Sequence, residues 1–94
     1  MTVRFEWDEK KRHANLSKHG IDFQEAVEMF QSPMLVVADN REDYGEDRLI
    51  GVGLSKGRLL VVIFTEPQPD IIRVISLRKA TRNEKAQFRE RIKD

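Results

Sequence analysis

The stretch Arg48–Thr65, RLIGVGLSKGRLLVVIFT, decides the fold. Two apolar runs, Arg48–Leu54 and Arg58–Thr65, are separated by Ser55, Lys56 and Gly57, a spacing that predicts two antiparallel strands joined by a tight turn. The second run is apolar at both parities, so neither of its faces tolerates water. It must be a central strand with a layer packed on each side of the sheet.

The flanking sequence supplies those layers. Downstream, EPQPD (66–70) predicts a turn and IIRVISLRK (71–79) a further strand. Thr81 and Glu84 then form a T-x-x-E capping box that opens a C-terminal helix. Upstream, Val3–Trp7 alternates and carries two aromatics, which suits a short strand, with Trp7 as a core anchor. Asp8 can cap a helix from Glu9 to Lys18, with His19 as its C-cap, Gly20 in the left-handed position and Ile21 folding back on Leu16. A second helix is expected from Asp22, with Glu25 completing a capping box and Phe23, Ala26, Val27 and Phe30 forming an apolar stripe that ends before Pro33. MLVVA (34–38) reads as a buried strand, followed by a polar stretch to Asp47 that turns near Tyr44 and Gly45. The expectation is a single α+β domain over residues 1–94, with two N-terminal helices and a C-terminal helix laid on an antiparallel sheet.

Composition excludes several classes of function. The 94 residues are 39% hydrophobic and 35% charged, with a net charge of +1 and no cysteine, so neither a disulfide framework nor thiolate chemistry is available. No run has the length of a signal peptide's apolar core or of a membrane span, and a reducing cytoplasm suits the chain. The near-neutral total hides a polarised distribution. Eight cations lie between Arg73 and Lys93 against Glu84 and Glu90, whereas five acids lie between Asp39 and Arg48 against Arg41 and Arg48. A positive surface of this kind suits an anionic polymer, and equally describes a solvated basic helix.

Motif chemistry is mostly negative. His13 and His19 are too far apart in sequence for the i, i+4 zinc arrangement, so no metal is expected. GVG (51–53) lies within a strand and lacks the rest of a dinucleotide fingerprint, and neither Ser55 nor Ser76 has a hydrolase setting, so no cofactor is expected. What remains is a set of cations with a histidine and an acid. RNA cleavage without a metal needs a base for the 2′-hydroxyl, fixed cations for the phosphate and an acid for the 5′-oxygen. Arg78 and Lys79, at the junction of the last strand and the last helix, can attract phosphate or serve as solvated strand-end residues. By alternation Arg78 and Arg73 fall on opposite faces of their strand, unless a bulge intervenes. His19 also fits as a helix-terminal histidine, and Glu46 with Arg48 as an ordinary ion pair.

FEWDEKKRHANLSKHGIDFQEA, YGEDRLIGVG, LLVVIFTE and RVISLRKATRNE, which together span most of the chain, resemble the BrnT family of toxins from type II toxin–antitoxin systems. That resemblance implies a RelE-like fold and a metal-independent endoribonuclease that inhibits translation. It also implies a cognate BrnA-type antitoxin whose ribbon-helix-helix part carries the contact with operator DNA. The site implied comprises His19, Glu46, Arg48, Arg73 and Arg78 as catalytic residues, with Lys18, Lys79 and Arg82 touching the RNA. The three arginines would stabilise the transition state, and Glu46 or His19 would act as base. The alternative is a basic module that binds nucleic acid or protein and cleaves nothing.

Overall fold

A computed structural model describes residues 2–92. Its elements run β1 (Arg4–Glu6), α1 (Glu9–His19), α2 (Glu25–Met29), β2 (Leu35–Ala38), β3 (Leu49–Ser55), β4 (Arg58–Gln68), β5 (Ile71–Lys79) and α3 (Arg82–Ile92). The strands form one five-stranded sheet in the order β1-β5-β4-β3-β2. The expected hairpin is present, with Ser55 opposite Arg58 and a two-residue loop in which Lys56 and Gly57 both have positive φ (53° and 78°). That geometry matches the twist of the strands it joins. As the two-faced apolar run demanded, β4 lies in the middle, and Leu60 through Thr65 are all buried.

The sheet is mixed rather than wholly antiparallel. β1 pairs with β5 in parallel, Arg4 to Glu6 opposite Ile71 to Arg73, because the chain returns to its first strand only after the whole meander is laid down. The second helix is shorter than its stripe suggested. Asp22 does accept from the Gln24 amide (3.0 Å), but residues 23–24 form only a turn before α2 begins. Glu25 does not close the capping box; its carboxylate reaches across to Arg58 and Ser55 instead. At the end of α1 the left-handed C-cap is Gly20 (φ 72°), so His19 is the last helical residue. Ile21 is fully buried while Leu16 is 40% exposed, so Ile21 enters the core rather than covering Leu16. β4 also runs on to Gln68 through most of the expected turn, which tightens to Pro69 and Asp70.

Two apolar clusters hold the layers. Ile21, Phe23, Ala26 and Met29 pack with Leu60, Val62, Phe64, Ile72, Val74 and Leu77 on one face of the sheet. Phe88 of α3 packs with Val52, Val61 and Ala80 on the other. Helix α1 runs beside β5, where β1 no longer covers the strand edge. Its buried Asn15 accepts from the Leu77 amide (3.0 Å) and donates to the Leu77 carbonyl (2.8 Å) and the Ile21 carbonyl (3.1 Å). A side-chain amide thus takes the place of a neighbouring strand. Among the described residues no helix is long and apolar enough to cross a membrane.

Candidate active site

The decisive local feature is a bulge in β5. Ser76 pairs with Ile63 and Val74 pairs with Phe64, which leaves Ile75 as an extra residue. The bulge reverses the alternation, so that Arg73 opposite Thr65 and Arg78 opposite Val61 share one face. That is the α3 face, because Val61 belongs to the Phe88 cluster. β3 brings a third cation there. Leu49 pairs with Phe64 and packs on the helical α1/α2 side, so the preceding Arg48 points to the α3 side, as do Ile50 and Val52. The Arg48 carbonyl still accepts from the Asp39 amide (2.8 Å), which extends the ladder by one residue. A polar row therefore crosses the sheet from Glu6 through Arg73, Thr65 and Arg48 to Asp39. Within it, Thr65 is 3% exposed and its hydroxyl has no partner among the described residues.

Each arginine on this face has a carboxylate from the chain itself. Arg73 Nε bonds Glu6 (2.7 Å), and Arg48 Nε reaches Glu46 (3.4 Å) while its guanidinium lies 4.0 Å from the centre of the Tyr44 ring. Arg41 grips Asp39 through two bonds (2.7 and 2.8 Å) and Arg78 grips Glu84 through two (2.9 and 2.8 Å). The bonds from Arg41 outweigh burial and hold Asp39 down to about 2, and those from Arg78 do the same for Glu84, also down to about 2. The Arg78 guanidinium is correspondingly pushed up by Glu84, against burial and repulsion from the like charge of Arg41.

Glu84 also bonds the Thr81 amide (2.8 Å), and its own amide donates to the Thr81 hydroxyl (3.1 Å). The predicted capping box therefore forms, and Arg78 is fastened to it. Positive charge at the end of β5 thus anchors the start of α3 as well as facing solvent. A pH dependence follows. Both carboxyls are depressed from 3.8 and 4.5, so their ionised forms stabilise the fold above about pH 4.5, and that contribution drains away as pH falls towards 2. The thermal midpoint should decline across that window, and less steeply in Glu84→Gln, as followed by circular dichroism.

The expected site residues fall into two groups. Glu46, Arg48 and Arg73 lie at the row. Lys18 and His19 end α1, which starts just after Glu6 and has reached Leu77 by Asn15, so they stand towards the Arg78–Lys79 end of β5. Arg82 begins α3 nearby and is exposed. Arg78 joins the groups by sharing the face of Arg73, at about 13 Å along the strand. Sequence reasoning passed over Asp39, Arg41 and Thr65. An aspartate at a strand end with arginine two residues later was the available signal, since the Arg41 amide bonds Asp39 (3.3 Å) as such pairs do in tight turns. Among the described residues no three His, Asp or Glu side chains gather as metal ligands.

A family model described as "Ribonuclease toxin, BrnT, of type II toxin-antitoxin system" matches residues 7–84. The crystal structure of the Brucella abortus ribonuclease toxin BrnT superposes with a TM-score of 0.70 at 34% identity, covering 86% of this chain and 100% of that one. The comparison with curated proteins found no match. With the spaced motifs, the mixed sheet and the family match in agreement, the chain belongs to the BrnT family of ribonuclease toxins of type II toxin–antitoxin systems.

Proposed function

We propose that this protein cleaves RNA without a metal, in the cytoplasm, by attack of a 2′-hydroxyl on the adjacent phosphorus, and so inhibits translation. The observation that carries the reading is the Ile75 bulge, which sets Arg73 and Arg78 on the face that Arg48 also occupies. The planar guanidinium fork pairs with two phosphate oxygens, and donors aimed at the charge growing on a phosphorane are the largest source of rate in such chemistry. Arg48 and Arg73 are the donors at the scissile phosphate. Arg78 contacts the strand further along, with Lys18, Lys79 and Arg82 at its side.

Glu46, beside Arg48, is the better-placed base to take the 2′-hydroxyl proton; His19, at the other end of β5, suits the neighbouring RNA backbone. The proton that Glu46 takes is passed through water to the departing 5′-oxygen, and the other product is a 2′,3′-cyclic phosphate. Carboxylates on Arg48, Arg73 and Arg78 mean that substrate phosphate must displace them to bind, and the counterions released from the phosphates make affinity fall with salt. A BrnA-type antitoxin with a ribbon-helix-helix domain is the partner that silences the enzyme and carries the contact with operator DNA. The test is purified protein with RNA in EDTA, with and without ribosomes. Fragments ending in cyclic phosphate are expected, and intact RNA in both arms would leave only a binding module.

A further inference from the structure

At the end of the molecule away from the polar row, α3 and the β3–β4 hairpin enclose a groove of about 580 Å³. Leu54, Leu59 and Phe88 make its floor, and Leu54 is 42% exposed although it is a large aliphatic side chain. Its rim is entirely cationic. Arg58 is held by Glu25 (2.9 Å), but among the described residues Lys79, Lys85 and Arg89 have no carboxylate within 4.0 Å. Lys85 and Arg89 moreover stand one helical turn apart on α3, a like-charge pair that weakens the helix until something negative lies between them.

An apolar floor beside three cations without carboxylate partners among the described residues, Lys79, Lys85 and Arg89, is the complement of an amphipathic helix with acidic flanks. RNA fits it less well, since a phosphate strand gains from the rim and leaves the aliphatic floor exposed. We infer that this groove binds an acidic amphipathic helix of a partner polypeptide, whose leucine-like side chains rest on Leu54, Leu59 and Phe88 and whose carboxylates pair with Lys79, Lys85 and Arg89. On the functional reading above, Lys79 is where such a helix and an RNA strand meet, so occupancy of the groove narrows the RNA path without covering Arg73.

Binding is measurable without any cleavage assay, so failure here is separable from failure of the nuclease reading. The probe is a synthetic helical peptide with leucine at i, i+4, i+7 and i+11 and glutamate on the other faces, titrated into isotope-labelled protein. Saturable shifts are expected at Leu59, Ala80 and Phe88. A scrambled peptide of the same composition should bind about tenfold more weakly, as should Leu54→Asp and the Lys85→Glu, Arg89→Glu double variant. The replaced side chains are exposed, and unchanged circular dichroism confirms that each variant is folded. No saturable shift up to about 1 mM peptide, equal binding of the scrambled peptide, or an oligouridylate that shifts Leu59 and Phe88 on the groove floor as strongly as the peptide does would each overturn the proposal.

Discussion

Replacing Arg73 by alanine should lower the rate of RNA cleavage by roughly 10²–10³-fold, about 3–4 kcal/mol of transition-state stabilisation, while leaving the fold nearly as stable as before. The asymmetry comes from its surroundings. Arg73 is half exposed and its one carboxylate partner among the described residues, Glu6, is similarly open, so the pair contributes little to stability (side chains 48% and 41% exposed). Whatever Arg73 does for an RNA phosphate is therefore separable from what it does for the protein. Arg78→Ala offers the contrast. Its fork is committed to Glu84, which also caps α3, so that variant should lose stability and activity together. Single-turnover cleavage of a short RNA beside urea unfolding of both variants checks the pair of expectations. A cleavage rate unchanged by Arg73→Ala would remove Arg73 from the chemistry, and the bulge would then have only an architectural role.

The largest loss of stability should come from Asn15→Leu, about 3–5 kcal/mol, or a fall of about 15–30 °C in thermal midpoint for a domain of this size. The residue is 6% exposed and serves three backbone groups, the Leu77 amide and the carbonyls of Leu77 and Ile21. Leucine matches its volume and removes every bond, stranding those groups away from water. Asn15→Asp should be milder at the amide and harsher at the carbonyls, since a carboxylate accepts but cannot donate. Scanning calorimetry of the two variants separates the contributions. A shift of only a few degrees for Asn15→Leu would mean that water reaches the edge of β5.

The fold was legible in the sequence to the extent that its determinants are local. Hairpin, central strand and both terminal caps follow from apolar parity, from Asp8 and from the Thr81–Glu84 box. The parallel seat of β1 did not follow, because nothing within Arg4–Glu6 encodes which strand it will meet. α2 fell short because its first turn closes through i to i−3 bonds (Glu25 to Asp22, Ala26 to Phe23, Val27 to Gln24) while the Glu25 carboxylate is drawn off to Arg58, a long-range partner that a window of ten residues does not contain. At the candidate site the cations were visible and their common face was not. Adjacent apolar residues at Val74 and Ile75, each asking for a buried side, were the one hint that the strand skips a beat there. Asn15 gave no such hint, since a polar residue in the middle of a charged helix reads as solvated until the strand edge beside it is known.

The pairing of residues 4–6 with residues 71–73 also sets a timetable. A nascent chain leaving the ribosome cannot seat its first strand until residues 71–73 have been made, and the strand that receives it is the one that bears Arg73 and Arg78. Contacts between such distant segments form late and slowly. A copy stopped short of residue 73 therefore holds no assembled arginine face, and on the proposed function it should leave RNA intact.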